Sequence, residues 1–171
     1  PGHHAGRDFL GGFCYFNNIA VAVKKSGLRT LIVDFDGHHG NGTEDIFVGD
    51  DDVWYISLHR SYGFPGTGMG SHDNMINHPL EVNCGDEKYM RILRNSLKRV
   101  ESKEFEQLAL SAGFDAHEND PLASLGLSTE AFNRIGKMLK ALDLPTFAVL
   151  EGGYVGEDMG KNIDVFLQGI G

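Results

Sequence analysis

The amino-acid sequence predicts an α/β fold, a parallel sheet flanked by helices on both faces, and three features of its 171 residues point there. Short apolar runs of strand length alternate with stretches of helical periodicity, the pattern left when both faces of a parallel sheet are covered. Most of the runs end in Asp, His or Gly. Glycine contributes 23 residues, well above a usual share of about 7%, and punctuates loops without any collagen-like period.

In chain order, an apolar stretch from Ile19 to Val23 reads as a helix that ends near Gly27. Leu31-Ile32-Val33 then leads into Asp34, and Val53-Trp54-Tyr55-Ile56-Ser57-Leu58 leads into His59. A weaker run, Pro79-Leu80-Glu81-Val82-Asn83, precedes an acidic helix start at Gly85-Asp86-Glu87. Tyr89, Ile92, Leu93, Leu97 and Val100 recur at helical spacing, as do Phe132, Ile135, Leu139 and Leu142 behind an N-cap at Ser128. Gln107 to Ser111 leads into Gly113-Phe114-Asp115, and Thr146 to Leu150 into Glu151-Gly152-Gly153-Tyr154. Met159, Ile163, Phe166 and Ile170 mark a last helix. No repeat or linker interrupts the pattern, so residues 1–171 are taken as one domain.

Composition narrows the function. Apolar residues make up 41% and charged ones 23%, a globular balance. A domain of about 150 residues buries some 70% of its unfolded surface, so a core forms without staples. The net charge of −9 works against nucleic acid, whose phosphates demand Lys and Arg, and suits a cationic partner. Cys14 and Cys84 lie too far apart for a disulfide framework and are read as buried thiols of a cytoplasmic protein. No apolar run approaches the roughly 20 residues a bilayer requires. The chain opens on Pro1 with a polar cluster already under way, from which a preceding segment is expected.

Ligands of open α/β sheets bind beyond the carboxyl ends of the strands, and four runs deliver chemistry there: Asp34-Phe35-Asp36-Gly37-His38-His39, His59, Asp115-Ala116-His117 and Gly152-Gly153-Tyr154. Asp36 and His38 stand two apart, so in extended backbone both side chains reach the same side. With Asp115 they make an N/O donor set that leaves positions open, as catalytic zinc requires. Taken alone, Asp36-x-His38 reads as a loop cap beside a surface His; His3-His4, His39 and Asp115 favour the ligand set. The tandem His3-His4 pair needs acceptors behind it, and Asp34 and Asn41 are candidates. A His backed by Asp stays protonated to higher pH than one backed by neutral Asn, which would separate an acid from a base. Tyr154 after two glycines either packs on a turn or donates to a developing oxyanion. Phe13 and Phe64, in glycine-rich loops, either plug the core or line a narrow channel for an alkyl stem. Gly66-Thr67-Gly68-Met69-Gly70 lacks the Lys-Ser/Thr ending of a phosphate loop. His72, His78 and His117 are read as surface or loop residues.

Six segments in order, Pro1-Gly2-His3-His4-Ala5, Gly12-Phe13-Cys14-Tyr15-Phe16-Asn17, Asp34 to Thr43, Phe64-Pro65-Gly66-Thr67-Gly68, Ala112-Gly113-Phe114-Asp115 and Glu151-Gly152-Gly153-Tyr154, resemble the zinc-dependent histone deacetylase superfamily, acetylpolyamine amidohydrolases included. The resemblance implies the arginase/deacetylase fold and the C-terminal portion of a deacetylase catalytic domain. It implies Asp36, His38 and Asp115 as zinc ligands, His3, His4 and Tyr154 as catalytic groups, and Asp34 and Asn41 behind the histidines. Asn41 stands where many members carry Asp, a variant of the class II and bacterial-like branches. Phe13 and Phe64, with Gly12 and Gly153, would bind substrate. A monovalent cation, K⁺, would sit at Asp34, Asp36, His38, Ser57 and Leu58. The implied reaction is hydrolysis of acetylated lysine or an acetylated polyamine. Family domains begin well before the Pro-Gly-His-His segment, so an uncovered sheet edge, a tunnel short of one wall and association into a homo-oligomer are expected. Two other readings stay open: an arginase-like binuclear metallohydrolase, which needs further bridging carboxylates, and an acyl-lysine or polyamine binding module without turnover.

Overall fold

The computed structural model describes residues 1–171. Helices are α1 (Asn18–Ser26), α2 (Asn41–Phe47), α3 (Asp86–Arg99), α4 (Thr129–Lys140) and α5 (Gly156–Ile170). Strands are β1 (Thr30–Asp34), β2 (Val53–Arg60), β3 (Met75–Leu80), β4 (Gln107–Ala112) and β5 (Thr146–Leu150). All pair in parallel as one sheet in the order β3-β2-β1-β4-β5.

Local chemistry explains the helix ends. The Asn17 side chain accepts from Ala20 N at 3.0 Å, and Gly27, at φ 66, closes α1 in the left-handed region. Ser128 caps α4, as its position predicts. Helix α3 has no side-chain cap, but Asp86 and Glu87 begin it and Lys98 and Arg99 end it, matching the helix dipole.

Alternation along the strands splits the core in two. Leu31, Val33, Ile56, Leu108 and Leu110 pack beneath α3, α4 and α5; Ile32, Val53, Tyr55 and Ala109 pack beneath α1 and α2. The edge strand β5 alternates between exposed and half-buried positions, and no strand pairs on its outer side. No helix is long and apolar enough to cross a membrane.

The third strand in chain order lies earlier than its sequence suggests, at Met75–Leu80 rather than Pro79–Asn83. Asn77 and His78 disguise it, while Met75 and Ile76 are buried. Pro79 is tolerated because β3 is an edge; Asn83 and Gly85, at φ 62 and 73, already belong to a turn. Helix α2 has no counterpart in the periodicity, being only seven residues long. Cys14 is buried as expected, but Cys84 is only partly so.

Candidate active site

The chain adds β2 and β3 on one side of β1, then β4 and β5 on the other. The carboxyl ends of β1 and β4 are therefore the point where strand order reverses, and a crevice opens there. Asp34 ends β1 opposite Ser57 of β2 and Ser111 of β4. Asp36 and His38 follow one strand, and Asp115 follows the other.

Donor atoms of Asp36, His38 and Asp115 all lie within 4.8 Å of one another, and no other group of three or more His, Cys, Asp or Glu side chains meets at such spacing. His38 Nδ1 stands 2.7 Å from Asp115 Oδ2 and 3.2 Å from Asp36 Oδ1. Main-chain donors orient the carboxylates: Gly37 N donates to Asp115 Oδ1, His38 N to Asp36 Oδ1 and Gly152 N to Asp36 Oδ2, at 2.7–2.8 Å. Glycine is required at 152, since a Cβ there would stand 2.6 Å from Asp115 Oδ2 and 2.7 Å from Asp36 Oδ2.

Both carboxylates are fully buried, so their charge is costly. Burial first, and Asp36 second, raise the Asp115 carboxyl to about 7. For His38, burial works against the charge, but hydrogen bonds with Asp115 and Asp36 outweigh it and hold the imidazole up, to about 10. One proton on His38 thus holds together two carboxylates that would otherwise repel. A divalent cation in that proton's place would neutralise the pair, and one nitrogen with two oxygens suits zinc. The residues fit such an ion.

The tandem histidines lie beside this group, their rings tilted 49° to each other with centroids 4.1 Å apart. His3 Nδ1 lies 2.9 Å from Asp34 Oδ2, which also accepts from the Tyr55 hydroxyl at 2.8 Å. His4 Nδ1 lies 2.8 Å from Asn41 Oδ1. Burial opposes charge on His3, but Asp34 and Asp36 outweigh it and hold the imidazole well above its usual range. Burial and the neighbouring His3 push His4 down to about 3.

Glu151, which the sequence marks only as the first residue after a strand, clamps this segment. Its Oε2 accepts from Gly2 N at 2.6 Å and His3 N at 3.2 Å, and Ser111 donates to Oε1. Its partners lie 148 and 149 residues away, so no local pattern announces it.

His4, Gly12, Phe13, His38, Phe64, Leu122 and Tyr154 line one cavity of about 420 Å³. Phe13 and Phe64 are 76% and 53% exposed, so they are walls rather than core plugs. Phe64 packs edge-on against His4 at 4.8 Å, and Phe13 faces Tyr154 at 6.5 Å. Gly12, at φ 50, lies where a side chain would run into the His4 ring. Gly153, at φ 143, turns the chain into Tyr154. Burial and the charges of Asp115 and Asp36 raise the Tyr154 phenol, which therefore keeps its proton. Leu122 is absent from the residues that sequence reasoning selects, because nothing in an Asp-Pro-Leu loop signals a cavity wall.

Asp34, Asp36, His38, Ser57 and Leu58 gather at adjoining strand ends. Asp34 already accepts from Asp36 N as well as Tyr55, and the Ser57 hydroxyl pairs with His59 Nδ1 at 2.9 Å. Of the histidines read as surface or loop residues, His72 is exposed, whereas His78 pairs from within β3 with the Ser96 hydroxyl at 2.7 Å. His117 is buried, with Nε2 3.3 Å from the Thr129 hydroxyl, because its loop folds under α4.

The fold and this site define a class, and comparison with known proteins agrees with it. Residues 1–170 match the family model of the histone deacetylase domain, and the chain belongs to that family. It is 43% identical to a probable deacetylase of Methanothermobacter thermautotrophicus over 99% of its own length and 56% of the relative's. It is 36% identical to acetylpolyamine amidohydrolase 1 of Pseudomonas aeruginosa, over 99% of itself and 53% of that protein. The crystal structure of an acetylpolyamine aminohydrolase from Burkholderia pseudomallei superposes with a TM-score of 0.92 at 33% identity, covering 100% of this chain and 54% of that one. The chain spans about half the length of these relatives.

Proposed function

We propose that the chain carries a zinc-dependent amidohydrolase centre, which hydrolyses the N-acetyl amide of an acetylated amine to acetate and the free amine. The observation that carries this reading is the convergence, at one strand-order reversal, of a buried Asp36-His38-Asp115 donor group with His4 and Tyr154 on one apolar-walled cavity. When bound, zinc supplies a Lewis acid that polarises the acyl oxygen and lowers the pKa of water.

The protein's own groups divide the remaining work. His4 donates its Nδ1 proton to Asn41, which leaves Nε2 free to take a proton from water; of the tandem pair, it alone lines the cavity. The same nitrogen then returns that proton to the departing amine. His3, paired with Asp34, stays charged and supplies a fixed positive field. The Tyr154 phenol donates to the oxyanion that develops at the acyl carbon. Phe13, Phe64 and Leu122 exclude water from the acyl group and the alkyl stem. A monovalent cation at Asp34, Asp36, His38, Ser57 and Leu58 belongs to the same proposal and would offset the negative charge beneath His3.

Two of the three relatives named above are acetylpolyamine amidohydrolases, which favours an acetylated polyamine, and acetyl-lysine in a basic peptide has the same reacting group. The test is acetate release from an N-acetylpolyamine and an acetyl-lysine peptide by the zinc-supplied protein, beside Tyr154→Phe and His4→Ala. Turnover of either substrate, lost in both variants, supports the proposal and names the substrate. Stoichiometric zinc and tight substrate binding without acetate release would instead leave a binding module.

A further inference from the structure

Tyr154 follows two glycines; the residue is 41% exposed, and its hydroxyl has no hydrogen-bond partner. Its aromatic pairs are edge-on, with Phe13 at 6.5 Å and His38 at 6.4 Å between ring centroids. A donor so placed is held by its backbone or not at all. The one hydrogen bond that Tyr154 makes is from its main-chain N to Asp120 Oδ2, at 2.9 Å.

Asp120 is buried, and its other oxygen, Oδ1, accepts from Leu122 N at 2.9 Å and Ala123 N at 3.2 Å. Leu122 is a wall of the same cavity, and Ala123 lies against Gly37, between two members of the donor group. No Lys, Arg or His stands within ion-pair distance of this carboxylate. A loop cap alone could be supplied by Ser or Asn without burying a charge. Two acceptor oxygens on opposite sides of one carbon are what those residues lack.

We propose that Asp120 is a positioning residue: through the Tyr154 main chain it fixes the phenol over the cavity, and through Leu122 it sets the facing wall, so that oxyanion donor and acyl pocket move as one. This rests on the hydrolase reading for its catalytic consequence, but not for its geometry. In Asp120→Asn the amide keeps the bonds to Leu122 and Ala123 through its oxygen and turns a donor toward Tyr154 N, cutting one tie only.

The test is a double-mutant cycle on the zinc-supplied protein with Asp120→Asn, Tyr154→Phe and both together. Asp120→Asn is expected to lower kcat by about 10²-fold, the cost of a misplacement near 1 Å, with KM changed by less than threefold and zinc stoichiometry intact. The double variant is expected to be no slower than Tyr154→Phe alone. Losses that multiply, or a fall in KM and zinc content instead of kcat, would overturn the proposal. Hydrogen exchange at the Tyr154 amide gives a readout free of turnover: Asp120→Asn is expected to speed it by about tenfold, the worth of one hydrogen bond. If the unaltered protein releases no acetate, the hydrolase reading fails, and unchanged exchange at Tyr154 would still defeat the positioning role on its own. Asp120→Ser, which can cap Leu122 and Ala123 but cannot reach Tyr154, repeats both measurements should the Asn variant not fold.

Discussion

The two ends of the sheet differ more than its two faces. At the carboxyl ends, Asp34, Asp36, Asp115 and Glu151 are buried among histidines and main-chain donors around a cavity of about 420 Å³. At the amino ends a larger depression, about 610 Å³, lies between Leu31, Leu97, Phe105 and Leu142 with Arg94 and Lys98 at its rim. The larger hollow is ringed by solvent-exposed charges, Arg94, Lys98, Glu101, Lys103 and Glu104, whereas the smaller one is lined by His4, His38 and Tyr154 with buried carboxylates behind them. Volume alone does not locate chemistry in this fold; strand-order reversal does, because it is where two strand ends part and leave their polar loops facing each other.

The sharpest way to break this contrast is by activity. At the carboxyl ends, His4→Ala is expected to lower acetate release by about 10²–10⁴-fold and Tyr154→Phe by about 10²–10³-fold. Lys98→Ala at the opposite end should leave the rate within a factor of about two, as an exposed substitution away from the site. Steady-state kinetics on the three variants decides it. Equal losses at both ends would erase the distinction.

Stability should invert the order. Leu31 is 1% exposed beneath the amino-end depression, so Leu31→Ala is expected to cost about 2–5 kcal/mol. Asp115→Asn relieves the repulsion between two buried carboxylates, and denaturant unfolding of the metal-free protein should find it at least as stable as the parent. Zinc at about 100 times its dissociation constant adds about 2.7 kcal/mol to a protein that binds it only when folded. That gain should be present in Leu31→Ala and absent in Asp115→Asn.

A further effect is on pH. Burial first, and His39 second, push His59 down to about 3, so the native state keeps it neutral while the unfolded chain takes a proton below about 6.5. Its contribution is present above that value and is lost as pH falls toward 3, at no more than about 1.4 kcal/mol per pH unit. Thermal unfolding between pH 7 and 4 should show a shallower decline in His59→Gln than in the parent.

Much of this contrast was legible in the sequence, and the reasons are local. Asp36-x-His38, the tandem His3-His4 and Gly152-Gly153-Tyr154 advertise themselves because each pairs an unusual residue type with a strand end. β1, β2 and β4 were readable because buried parallel strands are continuous apolar runs, and β5 carries the same kind of run, Phe147-Ala148-Val149-Leu150, although it lies exposed at the sheet edge. β3 was misplaced because an edge strand bearing Asn77, His78 and Pro79 breaks that rule. α2 was missed because seven residues hold too few turns for a stripe. Glu151, Asp120 and Leu122 were not selected since each acts through partners brought near only by the fold: Glu151 through Gly2, Asp120 through Tyr154. An Asp or Glu beside a loop looks the same in sequence whether it caps its own turn or holds a segment from the far end of the chain.

The proposed hydrolase rests on Asp36, His38 and Asp115 forming a single divalent-metal centre. Calorimetric titration of zinc into the metal-free protein, alongside His38→Ala and Asp115→Asn, tests it most directly. One equivalent bound by the parent and none held tightly by either variant is the expected result. Two equivalents, no binding, or binding that survives both substitutions would contradict it.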